Sequence, residues 1–366
     1  MNEQRLAAFS SGTCFDAYKE LGSHPYGKGY RFRVWAPNAN QVSLVGDFNG
    51  WNDQANPMKK TAGGIWETVV RELPAFSSYK YAIFGNDGRV LKADPYAFHA
   101  ETRPQTASKT YDTRGYRWKD AAWMRKRAKF NPYTSAMSIY EMHLGSWKLD
   151  EEGRLYTYER MADEMVPYVQ KLGFTHVQFM PVMEHPLDLS WGYQVTGFFA
   201  ANSRFGTPDG LKALIDRFHQ AGIGVILDWV PAHFPKDEHG LRRFDGTPLY
   251  ESADPTRGEN PSWGTCMFDA GRPEVSSFLL SSAMYWLKEF HADGLRVDAV
   301  SYMLYLDYGR EPGAWHPNVY GDNRNLESIA FFHKLNEVVY REIPGVIMAA
   351  EEATAYPGVT HPVYLG

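Results

Sequence analysis

The chain has 366 residues, is 44% hydrophobic and 22% charged, and carries a formal net charge of −5. That length allows two or three domains with sizeable cores, and nothing in the charge balance implies nucleic acid as a partner. No run is apolar enough to cross a bilayer, Met1–Gly12 lacks the apolar core of a signal peptide, and Cys14 and Cys266 are too few for a disulfide framework; the expectation is a cytoplasmic protein with reduced thiols and no membrane contact.

Residues 1–26 read as an N-terminal extension. Residues 27–115 read all-β: Tyr30–Trp35, Gln41–Val45, Trp66–Arg71 and Tyr79–Phe84 are short runs rich in aromatic and β-branched residues. Turn signals such as Asn49–Gly50, Gly63–Gly64 and Gly85–Gly88 separate them, a spacing that predicts a β-sandwich. Residues 116–135 read as a charged linker, with Arg125–Lys126–Arg127 and Lys129 on a solvated face.

From residue 136 strands and helices alternate. Met137–His143, His176–Pro181, Gly224–Val230, Gly294–Val300 and Val346–Glu352 predict buried strands. Tyr158–Leu172, Pro208–Gln220, Pro273–Phe290 and Ser328–Arg341 predict amphipathic helices between them. Thr207–Pro208 is a strong helix start, a capping hydroxyl followed by proline at the first helical position. Such alternation makes a parallel sheet. The fold class is thus multidomain, a β-sandwich followed by an incomplete (β/α)₈ barrel over 136–366, with five of eight strands.

Gly294–Leu295–Arg296–Val297–Asp298 is the most informative stretch. A spacing of two puts Arg296 and Asp298 on one strand face, at the end where barrels do chemistry. A neighbouring guanidinium favours the charged, nucleophilic form of a carboxylate. Taken alone, the pair reads first as a salt-bridged strand end. Val346–Ala350 likewise runs into Glu351–Glu352, of which only one can face the barrel mouth. Two strand-end carboxyls suggest glycoside chemistry, which with retention needs them about 5–5.5 Å apart. Asp228 and His233 follow the run Val225–Leu227; they could hold sugar hydroxyls, or anchor a loop. Trp191 and Tyr193 offer a sugar platform or a packed loop. Aromatics make up 15% of the chain, with 11 Trp and 23 Tyr, and such rings suit stacking on sugars as well as ordinary cores.

The order Tyr193, Asp228–His233, Arg296–Asp298, Glu351 resembles the α-amylase superfamily. The runs Ile139–Trp147, Ser190–Gly197, Asp228–Phe234, Phe244–Glu251 and Met303–Tyr308 resemble its bacterial 1,4-α-glucan (glycogen) branching enzymes. The resemblance implies that Asp298 is the nucleophile, forming a covalent glucosyl-enzyme, and that Glu351, not Glu352, is the acid/base. It implies that Tyr193, Asp228 and His233 bind the sugar next to the cleaved bond and that Arg296 keeps Asp298 ionised at the substrate site, where Trp191 is a further candidate sugar contact. The implied partner is an α-1,4-glucan or glycogen, cut and passed to a 6-hydroxyl, with no metal and no organic cofactor. The sandwich resembles the carbohydrate-binding module that precedes such barrels; Trp51 and Lys80 are its candidate glucan contacts. Val90 stands where sugar-binding relatives place a second aromatic, which favours a docking role for the module.

The resemblance also implies three further barrel strands, a His–Asp pair carrying a third carboxylate, and a C-terminal β-domain, none of which occurs before Gly366. The expectation is a sheet with an unpaired edge, exposed apolar surface, and little activity unless a second polypeptide completes the barrel. Two other readings remain. One is a debranching or trehalose-releasing α-glucan hydrolase, against which the Trp191–Gly197 and Phe244–Thr247 runs argue. The other is a non-catalytic glucan-binding or complex-forming protein, against which the presence of both Asp298 and Glu351 argues.

Overall fold

A computed structural model describes residues 1–362. The last four residues, to which the partial barrel was drawn, lie outside the described residues. The N-terminal part is a sandwich of two antiparallel sheets. One contains Gly22–Tyr26, Gly29–Trp35, Ile65–Val70 and Lys59–Lys60 in that spatial order. The other runs Gln41–Gly46, Ser78–Gly85, Ser108–Lys109, His99–Ala100, with Gly88–Lys92 also paired to Ser78–Gly85. Alternate residues point inward, so Phe32 and Val34 meet Val42, Leu44, Tyr79 and Tyr81 in a fully buried layer.

Residues 1–26 are more than an extension. Asn2 caps a helix over Glu3–Ser10, accepting from the Arg5 amide at 2.9 Å, and that helix buries Phe9 edge-on against Trp35. Gly22–Tyr26 is a full sandwich strand, paired along its length with Gly29–Trp35.

The second part holds one parallel sheet, whose strands we label β1 (Ile139–Met142), β2 (His176–Phe179), β3 (Gly224–Trp229), β4 (Gly294–Val297) and β5 (Ile347–Ala350), paired in that order. The helices α1 (Tyr158–Leu172), α2 (Pro208–Gln220), α3 (Pro273–Glu289) and α4 (Leu326–Glu342) form the crossovers. Thr157 and Thr207 cap α1 and α2 through their hydroxyls, and α1 packs Met161, Met165 and Val169 on its buried stripe. Beyond β5, an open groove of about 620 Å³ is lined by Val297, Leu304, Phe332, Leu335 and Met348. Ile139 of β1, at the other edge, is 41% exposed. The sheet is therefore open at both ends of its strand order among the described residues. None of their helices is long and apolar enough to cross a membrane.

The sandwich docks on the barrel through one continuous core. Tyr96 stacks on Phe199 and Phe98 on Tyr285, at centroid distances of 4.8 and 5.4 Å. The buried Lys92 donates to the carbonyls of Glu238 and Arg242 in the barrel.

The stretch 116–135 departs from the expected solvated linker. Ala121–Arg127 is a helix whose Trp123 and Arg127 are buried; Arg125, Lys126 and Lys129 do face solvent. Arg127 donates to the carbonyls of His291 and Ala292 and lies 3.5 Å from Asp293. The Trp123 indole N–H also donates to Asp293, at 2.8 Å. Below the sheet, His219 sits between Asp120 and Asp293 with both ring nitrogens at 2.9 Å from a carboxylate. Burial opposes charge there, but the two carboxylates raise the His219 pKa. A charge run hid an anchoring segment because its partners lie far away in sequence.

Candidate active site

The parallel register places Asp228 beside Arg296 on neighbouring strands β3 and β4. Arg296 Nη1 donates to Asp228 Oδ1 and Oδ2 at 2.9 and 3.0 Å and to Asp298 Oδ1 at 2.6 Å. The Tyr193 hydroxyl donates to Asp228 Oδ2 at 2.8 Å and lies 3.5 Å from Arg296. On the other side of the guanidinium, Nη2 is 3.8 Å from Glu351 Oε2. Two carboxyls from adjacent strand ends thus flank one guanidinium. Asp228 closes the floor and Tyr193 one wall.

Strand β4 ends at Val297, three residues sooner than the sequence predicts. Asp298 still donates its amide to the Trp229 carbonyl, but Ala299 turns left-handed at φ +56° and starts a helix over Val300–Leu304. A non-glycine residue in that region is strained and needs its surroundings to hold it. Glu351 does so: its carboxylate accepts from the Ala299 amide at 2.7 Å, and its carbonyl from Val300 at 3.0 Å. The same side chain therefore fixes the turn and faces Arg296, while remaining 44% exposed. Glu352 makes a different contact, accepting from the Ser301 hydroxyl at 3.0 Å.

His233 Nε2 lies 3.6 Å from Asp298 Oδ2. Its Nδ1 is buried without a hydrogen-bond partner. Burial pushes the Asp228 carboxyl up to about 7, against the pull of Arg296. Burial and the Asp228 charge also raise the Tyr193 phenol well above its usual range, so Tyr193 remains a donor. For Arg296, burial is outweighed by Asp228, Tyr193 and Asp298, which raise its pKa and keep it a cation.

The structure brings Tyr193, Asp228, His233, Arg296, Asp298 and Glu351 together. Trp191, on the same turn as Tyr193, stands outside this group and is 62% exposed. Trp51 and Lys80 lie in the sandwich, apart from the cluster. The Trp51 indole donates to Asp47, and half-buried Lys80 donates to Thr106, with burial lowering its pKa. Sequence reasoning missed Trp263 and Tyr302, which extend from His233; the only signal was the aromatic content of the two long loops after β3 and β4.

Residues 20–97 match the family model "Carbohydrate-binding module 48 (Isoamylase N-terminal domain)", and residues 162–245 match "Alpha amylase, catalytic domain". Proteins described as 1,4-alpha-glucan branching enzyme GlgB match over nearly the whole chain. That of Methylococcus capsulatus is 52% identical over 368 residues, 99% of this chain and 50% of its own length. Those of Rubrobacter xylanophilus and Oleidesulfovibrio alaskensis are 51% and 53% identical, with 100% and 98% of this chain matched against 51% and 58% of theirs. The chain thus spans about half the length of the curated relatives it matches. Among solved structures, a putative α-amylase from Salmonella typhimurium aligns at TM-score 0.67 and 24% identity, over 90% of this chain and 49% of its own. A pullulanase from Paenibacillus barengoltzii aligns at TM-score 0.68 and 22% identity, over 92% of this chain and 53% of its own. At those identities the structural likeness concerns the fold.

Proposed function

The chain belongs to the 1,4-alpha-glucan branching enzyme family, and we propose that it supplies the cutting and donor-holding half of a branching site. One observation carries the reading: Asp298 and Glu351 are held from neighbouring strand ends around the single guanidinium of Arg296. That arrangement suits a retaining double displacement. Asp298 attacks the anomeric carbon of an α-1,4-linked glucose while Glu351 gives a proton to the departing 4-oxygen. The glycosidic bond breaks as the glucosyl–Asp298 ester forms. Glu351, now ionised, then takes the proton of an incoming 6-hydroxyl. That oxygen attacks the anomeric carbon, Asp298 leaves, and an α-1,6 bond results with both protein groups restored. Tyr193, Asp228, Arg296 and His233 hold the sugar being transferred. We place the protein in the cytoplasm, where glucan stores are built.

The reaction needs a water-poor pocket, and the open groove beside β5 leaves this pocket incomplete on one side. We propose that polypeptide corresponding to the relatives' remaining half, as a continuation of this chain or a separate one, covers that edge. The test mixes the chain with the corresponding part of the Methylococcus capsulatus relative and follows amylose–iodine absorbance and reducing ends. A spectral shift without matching new reducing ends, abolished by Asp298→Ala, supports branching. Reducing ends rising in step with bond loss would favour a hydrolase instead.

A further inference from the structure

Leading away from the catalytic pair is a line of aromatic rings whose arrangement is that of a built surface. The His233 ring, next to Asp298, packs against Trp263 at a centroid distance of 4.8 Å. Trp263 packs in turn against Tyr302 at 4.2 Å, and Tyr302 against Tyr308 at 4.7 Å. These rings come from two different connections, Trp263 from the loop after β3, and Tyr302 and Tyr308 from the helix Val300–Leu304 and the loop after it, which follow β4. The loops are tied together: the Ser262 hydroxyl donates to the Gly309 carbonyl, and Arg310 donates to that of Glu259.

Asn260 sets the Trp263 turn. Its Oδ1 accepts from the amides of Ser262 and Trp263 at 3.0 and 3.3 Å. Its Nδ2 is buried with no partner, although Asn260 lines a cleft shared with Tyr302, Tyr308, Arg257 and Arg310. Trp263 itself remains 41% exposed despite contacts on two sides. An indole left half in water yet locked in place has a prepaid ordering cost, which is what a binding platform requires. Its flat apolar face matches the apolar C–H face of a pyranose ring.

Taking the site as α-glucan-binding, as above, we infer that Trp263 is a stacking platform for the glucose unit adjoining the one at Asp298. Tyr302 extends the platform. His233 is the hinge between the two subsites, touching Asp298 on one side and Trp263 on the other. Trp263 therefore sets how firmly a linear α-1,4 chain is held beside the reacting bond, and not the chemistry of that bond.

Hydroxyl-radical footprinting of the whole protein, read by mass spectrometry, tests this residue by residue with maltoheptaose as ligand and cellohexaose as control. The expected result is oxidation of Trp263 slowed about threefold or more by maltoheptaose and unchanged by cellohexaose. Trp263→Ala should weaken maltoheptaose protection of Tyr193 by about three- to tenfold in concentration, and Trp263→Phe should restore most of it. Protection of Tyr193 with Trp263 untouched would overturn the platform while leaving the proposed function in place. No protection of any residue around Asp298 would overturn both. The wild-type footprint gives its answer even if the alanine variant folds poorly.

Discussion

Replacing Arg296 by methionine tests how the site balances its charges. Arg296 is the cation through which Asp228, Asp298 and Glu351 are held together. Asp228 is fully buried, and even beside Arg296 its pKa stands at about 7. Its folded pKa lies above the ordinary carboxylate value, so the folded state binds the proton more tightly than the unfolded state does. From this group, stability falls as pH rises from about 4 to about 7. In wild type the loss stops near pH 7, because Asp228 ionises against Arg296. Without Arg296 the carboxyl would stay protonated to higher pH and the loss would continue. Between pH 7 and pH 8 that is one further unit, worth about 1.4 kcal/mol. At pH 6 Asp228 is mostly protonated in both proteins, and this part of the cost nearly vanishes. The lost hydrogen bonds to Asp298 and Asp228 add about 1–3 kcal/mol at either pH. Urea unfolding at pH 6 and pH 8 should therefore show an Arg296→Met cost that grows by about 1 kcal/mol with pH. In an Asp228→Asn background the pH dependence should disappear. A cost that is the same at both pH values, with Asp228 intact, would refute the charge balance described here.

Glu184 provides an independent pH test away from the reacting groups. It is buried, accepts from the Ser203 amide at 2.7 Å, and burial pushes its pKa up to about 7, so its cost to folding grows as pH rises from the ordinary carboxylate range to about 7 and is complete above that. Glu184→Gln should gain about 2 kcal/mol more over wild type at pH 8 than at pH 5, read by thermal or urea unfolding. Gly345 has φ +77°, and a Cβ there would run into the Arg127 carbonyl; Gly345→Ala should cost about 2 kcal/mol or more and loosen the Ala121–Arg127 helix, visible as faster amide exchange at Trp123. In the completed assembly, Asp298→Asn and Glu351→Gln should each lower branching by about 10³-fold or more, while far-UV circular dichroism stays unchanged.

The alternation of strands and helices was legible because α1 and α2 carry an apolar stripe and a capping threonine, although α3 is buried nearly all round and starts without a capping side chain. Thr157 and Thr207 mark the starts of α1 and α2, and both helices run over the predicted residues. Local pattern also located the strand-end acids, since β4 and β5 are apolar runs that stop at charge. What it could not give was anything decided by distant partners. Asp120, Trp123 and Arg127 look like a polar linker until His219, His291 and Asp293 are brought beneath them by the sheet. The early end of β4 depends on Glu351 holding the Ala299 turn from 52 residues away. Trp263 and Tyr302 went unnoticed in the sequence because packing between the loop after β3 and the helix after β4 leaves no periodic trace.

The division of labour between Asp298 and Glu351 is open to direct measurement. The chain, assembled with the polypeptide that completes it, would be treated with a fluorinated α-glucosyl fluoride, whose glycosyl-enzyme turns over slowly enough for peptide mass analysis. The account predicts a glycosyl mass on the peptide bearing Asp298, lost in Asp298→Asn and retained in Glu351→Gln. A label on Glu351 or Asp228, or one that survives loss of Asp298, would contradict it.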